Sequence, residues 1–186
     1  MVMQHDTALA VDETASAVSW AAILAGSAAS IALTFTLSTL AAGFELKLAA
    51  PWPGAPPSLE DFSPLLGAAM IVVQVVSLGF GGYLAGRLRT KWLNVHSHEV
   101  FFRDTAHGLL VWAVSTAIGV GLAATVLATP VDKAALADMT PRDTSLAAQA
   151  SFFLGFGLLL GAFVASSAAA LGGMRRDEMH AKFRAV

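Results

Sequence analysis

Cysteine is absent from the 186 residues. That excludes disulfides, zinc–thiolate centres and iron–sulfur clusters. Charge is scarce as well: Asp, Glu, Lys and Arg make up 13% of the chain, against about 25% in a soluble domain. The net charge of −2 offers no basic stripe for nucleic acid, which is excluded as a partner. No GxGxxG follows a strand, and neither a P-loop, a nucleophile elbow nor HExxH occurs. No enzyme activity and no cofactor are therefore expected. The opening MVMQHDTALAVDETAS has no Lys or Arg and no long apolar run, so it reads as a retained tail over 1–17 rather than a cleavable leader.

What remains is apolar. Hydrophobic residues make up 56% of the chain and the mean hydropathy is +0.67. Four windows contain no Asp, Glu, Lys or Arg: Val18–Phe44, Ser63–Gly86, Thr105–Pro130 and Thr144–Met174. Each exceeds the ~20 residues a helix needs to cross ~30 Å of hydrocarbon. Backbone groups in lipid must be satisfied within their own element, so the windows predict helices. The expected fold is all-α, a single four-helix transmembrane domain over 18–174 with a basic tail over 175–186.

Orientation follows from the cations. The connection after the second span and the C-terminal tail hold Arg87, Arg89, Lys91, Arg103, Arg175, Arg176, Lys182 and Arg184. The other two connections hold Lys47, Lys133 and Arg142. Eight against three places both termini in the cytoplasm. Trp20, Tyr83 and Trp112 fall near that face, as interfacial aromatics do.

The outer loops differ. PWPGAPP, from Pro51 to Pro57, favours a stiff extended run. It reads either as a lid on its own helices or as an arm presenting Trp52 to a partner. Ser63 and Pro64 then form a helix start. The second outer loop repeats a start signal, TPVD at 129–132 and TPRD at 140–143. A short surface helix is expected over Pro130–Met139, with the fourth helix beginning near Pro141.

Small residues recur at every fourth position. The first span carries Ala22, Gly26, Ser30, Thr34, Ser38 and Ala42, and the fourth carries Gly157, Gly161, Ala165, Ala169 and Gly173. The third gives Ala113, Ala117, Gly121 and Thr125; the second gives Ser77, Gly81 and Ala85, with Gly82 and Gly86 beside them. Lipid tails are as apolar as leucine, so helices associate through close backbone approach, which small residues permit. These rows are expected to form helix-packing or partner interfaces. Both GGYLAGRLR and AAALGGMRR close a span with glycines and two arginines, a pattern that positive charge at inward-ending spans explains without an internal repeat.

Ionisable groups are expected to be missing from the spans, and with them proton relays and voltage sensors. Gln74 is the polar mid-span candidate, as a cross-helix hydrogen bond or a pore-lining group. Ser and Thr hydroxyls can bond back to their own helix. The segment Arg87–Asp104 mixes Trp92, Phe101 and Phe102 with arginines and is expected in the headgroup layer, where those aromatics make loop contacts. His96, His98, Glu99 and His107 are weak candidates for a metal or haem. Asp104 or Thr105 is expected to cap the third helix. His107, one turn in, is then expected to stay neutral and donate to a loop carbonyl.

With GGYLAGR at Gly81–Arg87, HGLLVWAVST at His107–Thr116 and SWAAILAG at Ser19–Gly26, the chain resembles a group of small bacterial inner-membrane proteins. Their marks are a GGxxAGR exit and an HGLxxWA entry, and some are labelled PhnA-like or YrzE-like. The likeness covers about the first two-thirds of the chain; the proline-rich loop and HSHE depart from the pattern. It implies a multi-pass protein of the bacterial inner membrane and carries no activity. The expected function is an accessory subunit of a membrane complex or a homo-oligomer, with lipid and other membrane subunits or itself as partners. The alternatives are an oligomeric channel or transporter for a small solute, and a metal- or haem-binding membrane protein.

Overall fold

The computed structural model describes residues 16–49, 64–90, 96–126 and 140–184. They form four helices: α1 (Trp20–Ala49), α2 (Pro64–Leu88), α3 (Ser97–Val126) and α4 (Pro141–Arg184). Each contains a stretch long and apolar enough to cross a membrane: Trp20–Phe44, Leu65–Leu88, His98–Leu122 and Thr144–Met179. The protein is thus an all-α, multi-pass membrane protein with four candidate spans. The expected surface helix at 130–139, the proline-rich loop with Trp52, and Trp92 lie outside the described residues.

Helix α2 is the centre of the bundle. It packs on α1, α3 and α4, and α3 also touches α1 and α4; among the described residues α1 and α4 do not meet. Glycines dictate these contacts. A Cβ placed on Gly82 would strike the carbonyl of Ala165, and one on Gly86 the carbonyl of Ala169. On the other side of α2, a Cβ on Gly81 would strike Ser30 and the Gly26 carbonyl. Matching depths run in the same chain direction, from Gly67 against Phe153 to Gly86 against Ala169, so α2 and α4 are parallel neighbours.

Three boundaries differ from the sequence expectation. Helix α3 begins at Ser97, eight residues before the charge-free window. Its first turn carries Glu99, which complements the helix dipole, and Arg103 pairs with Glu99 at 2.7 Å, four residues on. The charged run is therefore good helix, and Asp104 lies two turns inside α3 instead of capping it. Helix α4 likewise continues past Met174 to Arg184. Its 44 residues extend about 66 Å, about twice the hydrocarbon thickness. Helix α1 runs on to Ala49, past Phe44.

Among the described side chains, the buried residues of α1 are Ala22, Ile23, Gly26, Ser27 and Ser30, all in its first half. Those of α3, among the described side chains, stop at Ser115. The tight end of the bundle is thus the one bearing the arginines, called the basic end below. Large apolar side chains such as Phe35, Phe152, Leu159 and Phe163 stand exposed, which in a bilayer is contact with lipid.

Gly86→Val places atoms where the Ala169 backbone lies and is expected to destabilise the bundle by about 1–3 kcal/mol. Gly121→Ala meets none of the described residues and is expected to change little. Unfolding in graded denaturing detergent measures both.

Candidate functional site

Helix termini and near-terminal segments from all four helices converge at the basic end. Arg89 follows α2 directly; its amide still donates to Ala85 at 3.2 Å, extending the helical ladder. Arg87 and Arg89 are separated by about 200° around a helix, so when Arg87 faces outward Arg89 must turn in. There it meets Asp104 of α3 in a two-pronged pair: Nε donates to Oδ1, and Nη2 to Oδ2 at 2.6 Å. Both residues are only 2% exposed.

Glycine makes room for this pair. A Cβ on Gly173 of α4 would occupy the place of the Asp104 carboxylate. One turn on, Arg176 is buried and donates from Nη1 to the Arg89 carbonyl at 2.6 Å. It thereby caps the C-terminal end of α2, where unsatisfied carbonyls and the dipole favour a cation. Its other nitrogens hold Asp177 Oδ1 at 2.8 and 3.1 Å. The second Asp177 oxygen lies 3.9 Å from Arg89. Two arginines and two aspartates thus tie α2, α3 and α4 together.

His107 fastens α1. Its Nε2 accepts the Ser19 amide at 2.8 Å, and Nδ1 donates to the Arg103 carbonyl at 2.6 Å. Those partners define a neutral imidazole protonated on Nδ1. The Ser19 carbonyl in turn accepts from Ile23 at 3.1 Å, so Ser19 is the entry residue of α1. His107 sits in the interior of α3, not at the helix start, and the Ser19 amide that it accepts requires an unprotonated Nε2. The carbonyl it faces belongs to its own helix, not to a loop.

The residues singled out by sequence fall into distinct places. Gly26, Ser30, Gly81, Gly82 and Gly86 are buried in the contacts of α2, as are Gly157, Gly161, Ala165, Ala169 and Gly173 of α4, and Ala22 is buried in α1. Thr34 is half-buried and Ser38 is exposed. Gln74 is half-buried, its Cγ 3.7 Å from where a Cβ of Gly157 would stand. The row on α3 does not pack: Ala117, Gly121 and Thr125 are exposed. The glycine that brings α3 to α4 is Gly108, set against Ala165 and Ser166. Phe101 and Phe102 are exposed on the first turns of α3.

His96, His98 and Glu99 are exposed at the start of α3, whereas His107 is buried and turned to Ser19. Among the described residues no three His, Cys, Asp or Glu side chains gather as a metal site would require. Thr36, Thr39, Ser166 and Ser167 bond back to carbonyls four residues earlier. Ser30, Ser77 and Ser115 are buried with no hydrogen-bond partner among the described residues.

The sequence reading did not anticipate Arg89–Asp104, a buried ion pair just beyond the charge-free windows. Charge-free windows locate lipid, not helix ends, and Asp104 sits one residue outside such a window. The 200° separation in GRLR and the i, i+3 placement of Asp104 and His107 were the available signals. The stretches SWAAILAG, GGYLAGR and HGLLVWAVST meet here: a Cβ on Gly26 would touch Gly81, Ala85 and Val111, and Ser19 holds His107. No protein-family model, curated protein or solved structure matches the chain.

Asp104→Asn takes the bidentate carboxylate from the buried Arg89 guanidinium and is expected to cost about 3–5 kcal/mol. The double substitution Arg89→Met with Asp104→Leu is expected to recover most of that loss. Detergent-denaturation midpoints of the three proteins check it.

Proposed function

We propose that the protein is an integral-membrane interaction protein, an accessory subunit of a membrane complex or a homo-oligomer, that offers the far half of α3 to a helix of another chain. The observation that carries this reading is exposure. Ala117, Ile118, Gly119, Val120, Gly121 and Leu122 are exposed in succession, with Thr125 beyond them. Among the described residues nothing lies within 4 Å of a Cβ placed on Gly119 or Gly121. At comparable depth α2 and α4 still touch, through Gly67 and Phe153.

Bare glycines facing lipid contribute nothing to association, whereas a neighbouring backbone seated on them gains dispersion and short contacts. The excess of Lys and Arg at the basic end supports a cytoplasmic location for that end. The likeness of the three glycine-rich stretches supports a bacterial inner membrane.

The chain lacks cysteine, so single cysteines report neighbours cleanly. Gly121→Cys in native membranes is expected to give a cross-linked adduct with bismaleimide, either a dimer or a heteromer. Phe163→Cys, on a lipid-exposed position of α4, is expected to give none. Equal yields at the two positions would remove the proposal, and Gly121→Leu is expected to abolish co-migration in mild detergent.

A further inference from the structure

Four of the arginines at the basic end, on α2 and α4 or directly after them, divide into two pairs. Arg89 and Arg176 are buried and fully engaged. Arg87 and Arg175 lie on the outward edge of the α2–α4 seam. Gly172 brings the two edges together: its Cβ would strike the Tyr83 carbonyl and stand 3.2 Å from the Arg87 amide. Among the described residues Arg87 makes no hydrogen bond or ion pair, and its Nη1 is buried without a partner. Arg175 is 69% exposed, with Glu178 at 3.6 Å as its one carboxylate among the described residues. Phe80, Tyr83 and Arg87 follow one face of α2, and Leu171 and Arg175 one face of α4. Phe80, Tyr83 and Leu171 are exposed on the membrane side of the arginines.

A half-buried guanidinium at the edge of a bilayer needs an anion, since its donors are costly to leave unmet. Among the described residues no carboxylate pairs with Arg87. We propose that this edge binds the phosphate headgroup of an anionic phospholipid. Arg87 supplies a planar fork suited to two phosphate oxygens, and Arg175 adds a second charge at the rim. Phe80, Tyr83 and Leu171 receive the acyl chains. The site uses the α2–α4 seam and is independent of the far half of α3.

Full-length protein, delipidated in detergent, is titrated with phosphatidylglycerol or phosphatidylcholine of matched chains and read by native mass spectrometry. Phosphatidylglycerol is expected to form a one-to-one adduct. Arg87→Gln weakens it by about tenfold, the loss of one charge-assisted interaction. Arg87→Lys falls between, and Arg175→Gln, which leaves the seam intact, weakens it severalfold. Arg103→Gln, on α3, leaves it unchanged. Equal phosphatidylglycerol binding by wild type, Arg87→Gln and Arg175→Gln would overturn the proposal. So would displacement of the lipid by millimolar inorganic phosphate, which assigns the site to a free anion, or an Arg87-dependent polypeptide in place of the lipid.

Discussion

The approach of α2 to α4 at backbone distance is the constraint from which the other contacts follow. In lipid there is no gain from burying leucine, so two helices stay together where their backbones can touch. Gly82, Gly86, Ala165, Ala169 and Gly173 supply that surface over three turns. Once α2 and α4 lie side by side and parallel, Arg89 and Arg176 arrive at the same level. The carbonyls at the end of α2 then fall within reach of the Arg176 guanidinium. Gly108 brings α3 against Ala165, and that approach carries Asp104 to Arg89.

The polar knot is costly to assemble and costly to break. A buried ion pair gains little over a well-packed apolar substitute, yet removal of one partner strands a charge. Its value here is positional. Arg89 and Asp104 fix α3 against α2, Arg176 fixes α4, and His107 holds the entry of α1. With this end locked by directional bonds, the far half of α3 can stand apart from its own bundle. One end is specified by hydrogen bonds within the chain, and the other leaves glycines open. That asymmetry suits a protein whose fold must persist while a surface remains free for another helix.

The outward arginines extend the same logic. The inner guanidiniums are satisfied by carboxylates and carbonyls of the chain, the outer ones by what the membrane provides. A bilayer surface is a dense array of phosphate, so the chain need not supply an acid for Arg87.

The sequence by itself determined the four helices, because an apolar chain in lipid has no other way to satisfy its backbone. It also determined that small residues would bring helices close. Helix ends were less legible: Ser97–Arg103 is charged, and charge marks the edge of lipid without marking the edge of a helix. Only the tertiary structure decided which glycines pack. Gly81 and Gly121 look alike in sequence, yet one meets Ser30 and the other meets none of the described residues. The same is true of the arginines, since Arg87 and Arg89 differ by two positions and by opposite sides of one helix. Which side is interior depends on where three other helices lie, and that is a property of the assembled bundle, set by backbone contacts between residues far apart in the chain.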